Sequence, residues 1–202
     1  SICFPKVKLV KTEHNNHNFF KFYQNCINFF VLLLADKILC NSANTAESFS
    51  WREKEVAQHK VEVVHNGVNI SFINQQQLAK GLAEEFNASG LLDRNAIVIG
   101  SVGRLVPQKN YQTLIKAFEE VVPKLETIKP YLVIVGDGEE RKELEALVAS
   151  HRYKEQIILT GAMSREQVYA FLQRFDLFVM TSLWEGFCNT VVEAMAAKKP
   201  II

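Results

Sequence analysis

Apolar and polar positions in the second half of the chain switch repeatedly between strand-like and helix-like periods. Ala96–Val102 (AIVIGSV) is a continuous, β-branched-rich run ending at Gly103, as expected of a strand buried on both faces. Tyr111–Glu126 follows, with Leu114, Phe118, Val121 or Val122, and Leu125 at helical spacing. The cycle then repeats. Tyr131–Val135 predicts a strand closed by Gly136-Asp137-Gly138, and Glu139–His151 a charged helix with Leu144, Leu147 and Val148 inward. Gln156–Thr160 is a third strand, stopped by Gly161. Ser164 and Gln167 form a capping-box pattern opening a helix to about Arg174. Asp176–Met180 is a fourth strand, the loop Thr181–Cys188 leads to a helix near Asn189–Lys198, and Pro200-Ile201-Ile202 begins a fifth strand. Strands alternating with helices of this length predict an α/β fold, a parallel sheet with helices on both faces.

The first part is organised differently. Val7–Thr12, Lys37–Asn41 and Val61–Val64 read as strands, Phe19–Leu34 as a long apolar helix, and Asn66-Gly67 as a turn. Residues 71–95 carry little periodicity and include Gln75-Gln76-Gln77, which reads as a linker or insertion. Residues 1–70 then form the end of one α/β unit, and 96–202 most of a second. No repeat is visible, and a chain that stops mid-fold is expected to be part of a longer protein.

Composition narrows the class. With 48% hydrophobic and 22% charged residues among 202, disordered and collagen-like classes are excluded. A net charge of +1 gives no reason to invoke nucleic acid. Residues 1–80 carry 9 Lys+Arg against 6 Asp+Glu, leaving 14 against 16 in the rest. Lys6, Lys8, Lys11 and Lys21 face one acid, Glu13, which suits either a solvated face or a peripheral contact with an anionic membrane. Cys3, Cys26, Cys40 and Cys188 show no metal-finger spacing. There is no signal-peptide pattern. The longest apolar run, Phe29–Ala35, is far below the roughly 20 residues of a membrane span. A reducing, cytoplasmic compartment is the expectation.

In open α/β sheets ligands meet the carboxyl ends of strands, where helix N-termini offer free N–H groups. Three loops qualify. In Gly103–Asn110, Arg104 and Lys109 bracket a short loop before a helix, an arrangement suited to phosphate or to solvated surface cations. In Glu185–Thr190, Gly186 permits close backbone approach and the amides of Cys188–Val191 can face an anion. Glu185 and Glu193 can accept from ligand hydroxyls, or be ordinary surface charges. Gly161-Ala162-Met163-Ser164 offers backbone groups to a flat base. Gly136-Asp137-Gly138 is too short for a dinucleotide fingerprint and reads as a simple turn. No Asp-x-Asp pair calls for a metal.

In combination these loops resemble family 4 glycosyltransferases. Gly103-Arg104-Leu105 with Lys109-Asn110 and Leu114–Phe118 resembles the start of that family's donor domain. Val133–Gly138 and Leu159-Thr160-Gly161 continue the match in order. Glu185-Gly186-Phe187 with Glu193–Ala196 is similar to its paired-glutamate motif, seven residues separating the acids. Asn66-Gly67-Val68 resembles the segment following the acceptor-side domain. The resemblance covers most of residues 36–202.

The resemblance implies the GT-B architecture of two Rossmann-like domains, residues 1–70 ending the acceptor-side one and 96–202 forming the nucleotide-sugar-binding one. It implies retaining transfer of a sugar from a nucleoside diphosphate sugar to a hydroxyl of a glycan or lipid-linked glycan, with no metal cofactor. Gly103, Arg104 and Lys109 would hold the diphosphate, Ala162 and Met163 the base, and Glu193 the ribose. Glu185 would hold the transferred sugar, with Gly186, Phe187, Cys188 and Asn189 contributing backbone contacts. Cys188 departs from the second glycine many members carry there, which bears on sugar preference. His14 stands where the family often places an acceptor-side histidine, able to donate a hydrogen bond or manage a proton, though it also fits an ordinary loop histidine beside His17. Two alternatives remain: a nucleotide-sugar 2-epimerase, or a non-catalytic nucleotide-sugar-binding module. The base, sugar and acceptor are not legible.

Overall fold

A computed structural model describes residues 8–14, 17, 22–77, 96–125 and 127–202. Residues 78–95, most of the segment read as a linker, lie outside the described residues, as do Lys6 and Lys21 of the basic cluster. The chain divides into two compact units: Ser1–Gly67 with Glu185–Cys188, and Val68–Trp184 with Asn189–Ile202.

In the first unit, β1 (Val10–Glu13), β2 (Lys37–Cys40) and β3 (Val61–Val63) lie side by side and parallel, with Val10 opposite Lys37 and Ile38 opposite Val61. Parallel neighbours require a crossover, and α1 (Phe22–Leu34) supplies the first. Its Leu32 is buried with Ala35, Ile38, Cys40, Phe49 and Ala57. On its outer side Tyr23, Ile27, Phe30 and Leu34, spaced by four, three and four, are all more than half exposed. Two short helices that the periodicity did not announce follow: α2 (Ala43–Glu47), capped by Ser42, and α3 (Trp51–Ala57). The latter opens with a full capping box, Ser50 and Glu53 each satisfying the other's backbone N–H.

The second unit holds a parallel sheet of β4 (Ala96–Val102), β5 (Lys129–Val135), β6 (Ile157–Leu159) and β7 (Leu177–Phe178), in the order β6-β5-β4-β7. Ile201 extends it by bridging to Phe178, where the fifth strand was expected. Helices α4 (Ile70–Gln75), α5 (Tyr111–Val121), α6 (Arg141–Ser150), α7 (Arg165–Arg174) and α8 (Asn189–Ala196) complete it. Strand β5 shows why the run reads as continuously apolar. Tyr131, Val133 and Val135 enter one core with Phe171, Phe175 and Phe178, while Leu132 and Ile134 enter another with Leu114, Phe118 and Leu144. Gly100 leaves room for this packing, since a Cβ there would lie 2.1 Å from the Phe175 ring. The capping box at Ser164 forms as expected. Ile73 of α4 is buried in the first of these cores, and the Gln173 amide donates to its carbonyl at 3.3 Å. This strand order places a topological switch between β4 and β7. In α/β sheets that switch defines the ligand crevice.

Candidate functional site

The site in the second unit is built from backbone first. Beyond the ends of β4 and β5 the ladder continues into the loops: Gly103 N donates to Val135 O at 3.0 Å, Leu105 N to Asp137 O at 3.0 Å, and Glu140 N to Leu105 O at 2.9 Å. Gly136 has φ 143°, and a Cβ on it would lie 2.0 Å from Gly103 O; one on Gly138 would lie 2.4 Å from Leu105 O. Gly136-Asp137-Gly138 is therefore more than a simple turn. Its glycines let the second loop lie directly against the first.

Lys109 ends a 3₁₀ turn, Pro107–Lys109, and Asn110 takes the left-handed conformation at φ 52° before α5. A Cβ on Gly103 would fall 3.1 Å from Lys109 Cε, so the glycine admits the lysine stem to the end of β4. Thr181 Oγ1 donates to Lys109 O at 2.9 Å, Gln108 Nε2 to Trp184 O at 2.7 Å, and Leu183 N to Gln108 O at 2.8 Å. The loops after β4 and β7 are thus fastened across the switch point. Arg104 is exposed. A cavity of about 350 Å³ opens beyond the carboxyl ends of β4 and β5, lined by Gly103, Arg104, Gly136, Ala162, Met163 and Val168 among others.

Glu193, on α8, is held from α7. Tyr169 Oη donates to its Oε1 at 2.9 Å, and Arg165 Nη2 stands 4.0 Å from the same oxygen. Arg165 Nε in turn donates to Tyr169 Oη, and its guanidinium lies 5.3 Å from the Tyr169 ring centre. Burial pushes the Glu193 carboxyl above its ordinary range, against the opposing pull of Tyr169 and Arg165. Neither Arg165 nor Tyr169 was singled out from sequence. Their i, i+4 spacing on one helix was the available signal.

Glu185, Gly186, Phe187 and Cys188 group with the first unit, where Ser42 Oγ donates to Gly186 O at 3.2 Å and the Phe187 ring lies 6.1 Å from that of His65. Asn189 is the exposed first residue of α8. His14 has an exposed side chain, while its carbonyl accepts from Asn41 Nδ2 at 3.2 Å. Its neighbour His17 is the built-in histidine: 3% exposed, with ring nitrogens 3.2 Å from Glu13 and 3.0 Å from Glu53, its backbone N bonded to Ser48 Oγ. Burial alone would raise the Glu13 carboxyl. Hydrogen bonds and charge from His17 and Lys11 outweigh it and hold the group below its usual range.

The structure thus gathers Gly103, Arg104, Ala162 and Met163 at one cavity, with Lys109 against Gly103 and Glu193 braced in the same unit. Residues 83–202 match the family model described as Glycosyl transferases group 1. The chain belongs to that family. Its relatives include an N-acetylgalactosamine-N,N'-diacetylbacillosaminyl-diphospho-undecaprenol 4-alpha-N-acetylgalactosaminyltransferase of Campylobacter jejuni, 28% identical over 89% of this chain and 45% of that protein. Another is a UDP-Gal:alpha-D-GlcNAc-diphosphoundecaprenol alpha-1,3-galactosyltransferase of Escherichia coli, 30% identical over 79% of this chain and 40% of that protein. Among solved structures, Anabaena HepE in complex with UDP and glucose superposes with a TM-score of 0.78 at 21% identity, over 96% of this chain and 52% of that one. The fold class is the GT-B one expected from the resemblance. The chain spans about half or less of the length of these proteins.

Proposed function

We propose that the protein to which this chain belongs is a retaining glycosyltransferase that moves a sugar from a nucleoside diphosphate sugar to a hydroxyl of a glycan or lipid-linked glycan. The observation that carries the reading is the cavity beyond the carboxyl ends of β4 and β5, which joins Gly103, Arg104, Ala162 and Met163 in a chain of the group 1 family. The chemical demand is charge building on the departing diphosphate, and fixed cations answer it without reorganising. Arg104 and Lys109 are assigned that task, with no metal required. Glu193 is assigned to the ribose, Glu185 to the sugar, and His14 to the acceptor side. The diphospho-undecaprenol substrates in two relatives' names, and the UDP bound to HepE, support the donor and acceptor classes.

The test is donor-dependent transfer by the full-length protein with UDP-, GDP- and ADP-sugars, with and without EDTA. Metal-independent turnover of one donor, lost in Glu185→Ala and Lys109→Ala, is the expected result. Nucleotide binding without any turnover would favour the binding module instead. Peripheral membrane contact is a second element of the proposal. Among the described residues no helix is long and apolar enough to cross a membrane, but the exposed stripe Tyr23, Ile27, Phe30 and Leu34 suits an interfacial contact. Flotation of the full-length protein with phosphatidylglycerol vesicles, reduced by Ile27→Glu, tests it. Equal flotation of both proteins would refute it.

A further inference from the structure

We propose that Tyr169, braced by Arg165, is a positioning residue that fixes the Glu193 carboxylate so that Oε2 faces the hydroxyls of the donor ribose. The proposal rests on the assignment of Glu193 to the ribose and adds what makes that glutamate selective.

The argument starts from hydrogen-bond direction. A guanidinium can only donate, so when Arg165 Nε donates to Tyr169 Oη the phenol must act as acceptor there. Its single proton is then committed to Glu193 Oε1, 2.9 Å away. Arg165 Nη2 approaches the same oxygen, at 4.0 Å. Both contacts end on Oε1. Among the described residues Oε2 takes neither, and a carboxylate oxygen held in this way can accept only from whatever enters beside it. The Tyr169 ring cannot drift, because it is 1% exposed, sits in the core with Phe171 and Ala194, and meets Phe72 edge-on at 5.9 Å. The Arg165 side chain is 66% exposed, so bracing the phenol costs little desolvation. The i, i+4 pair on α7 thus sets the rotation of a carboxylate on α8, leaving one oxygen for a hydroxyl pair such as a ribose presents.

A buried tyrosine that merely satisfied its own hydroxyl would show the same bond but would not affect which nucleotide is chosen. The experiment therefore reads preference. Calorimetry on the full-length protein compares whichever of UDP, GDP and ADP binds most tightly with its 2′-deoxy and 3′-deoxy counterparts. The unmodified protein is expected to prefer the ribonucleotide by about tenfold or more, as for one charge-assisted hydrogen bond. Glu193→Ala is expected to abolish that preference. Tyr169→Phe, which keeps the ring and the core, is expected to reduce it at least about threefold while leaving deoxynucleotide affinity unchanged. Full preference in Tyr169→Phe alongside its loss in Glu193→Ala would overturn the positioning role alone. Preference retained in Glu193→Ala would overturn the ribose assignment and this proposal with it. Should Tyr169→Phe fail to fold, Arg165→Met carries the test from the surface, and an unchanged preference there is equally fatal.

Discussion

Replacing Gly136 by alanine separates a site built on backbone contact from one built on side chains alone. At φ 143° an L side chain is strained, which costs about 1–3 kcal/mol. The new methyl would also lie 2.0 Å from Gly103 O, whereas a carbon meets a carbonyl oxygen comfortably only beyond about 3.3 Å. Neither partner is a flexible side chain, so the two loops must part. The bonds flanking the contact, Gly103 N to Val135 O and Gly136 N to Gly161 O, then lengthen, at about 1 kcal/mol each. A destabilisation of about 3–5 kcal/mol follows, which for a domain of this size lowers Tm by roughly 10 °C or more. Gly67→Ala is the control. A Cβ there meets nothing within 4 Å, so its effect stays within about 0.5 kcal/mol. Calorimetric melting of the full-length variants gives the first readout. Nucleotide affinity at a temperature where both remain folded gives the second, because parting the loops displaces Gly103 and the Arg104 loop. A Gly136→Ala protein that melts with the control and binds nucleotide normally would refute the reasoning.

Four further outcomes are expected. Lys109→Ala lowers kcat by about 10²–10³-fold, the usual loss for a preorganised charge at a leaving group, with Tm nearly unchanged because Thr181 anchors the backbone carbonyl; a large Tm drop with kcat intact would reverse that assignment. Glu193→Gln raises or preserves Tm at neutral pH while weakening nucleotide binding. The folded-state pKa of Glu193 lies above its unfolded value, so its favourable contribution exists at low pH and is lost as pH rises through the folded value, and the neutral amide escapes that loss. Glu13 has the opposite sign. Its depressed carboxyl stabilises the fold above the ordinary carboxylate pKa of about 4.3, and that stability is lost as pH falls through the folded value, so Glu13→Gln should flatten acid melting below about pH 4.5. His17→Phe removes the ring nitrogens that meet Glu13 and Glu53, leaving Lys11 on the first and Ser50 on the second, and should cost about 1–3 kcal/mol, read by the same melting curves.

The strands of the second unit were legible because burial on both faces writes itself into sequence as unbroken apolar runs. Ala96–Val102 keeps its expected bounds, and Ser164 with Gln167 announced the helix they cap. In the first unit the signals are shorter than the periods used to detect them. Helices of five and seven residues complete too few turns for an apolar face to recur, and only the Ser50–Glu53 pair marked the second. Cations and acids on loops could be named, but their supports could not. Tyr169 reads as a core aromatic, and only its bond to Glu193 shows that its hydroxyl has a direction. His14 and His17 are equivalent in a string of letters. Burial between two carboxylates distinguishes the second.

Two kinds of constraint therefore hold the candidate site in the second unit, and they predict different tolerances. The cations rest on backbone: Gly103 admits the Lys109 stem, Gly136 admits Gly103, and the carbonyls of Lys109 and Asn110 are fixed by Thr181. Changing the charge there leaves the scaffold standing, whereas adding a methyl beneath it does not. Glu193 rests on side chains, through a phenol whose proton direction is imposed by a surface guanidinium. There a conservative change, Tyr169→Phe, removes one oxygen and no packing volume, so it should alter selectivity before it alters stability. Glycine variants beneath the cations should lose fold and affinity together, and Tyr169→Phe should lose discrimination alone. That contrast would not arise if both regions were ordinary core and surface.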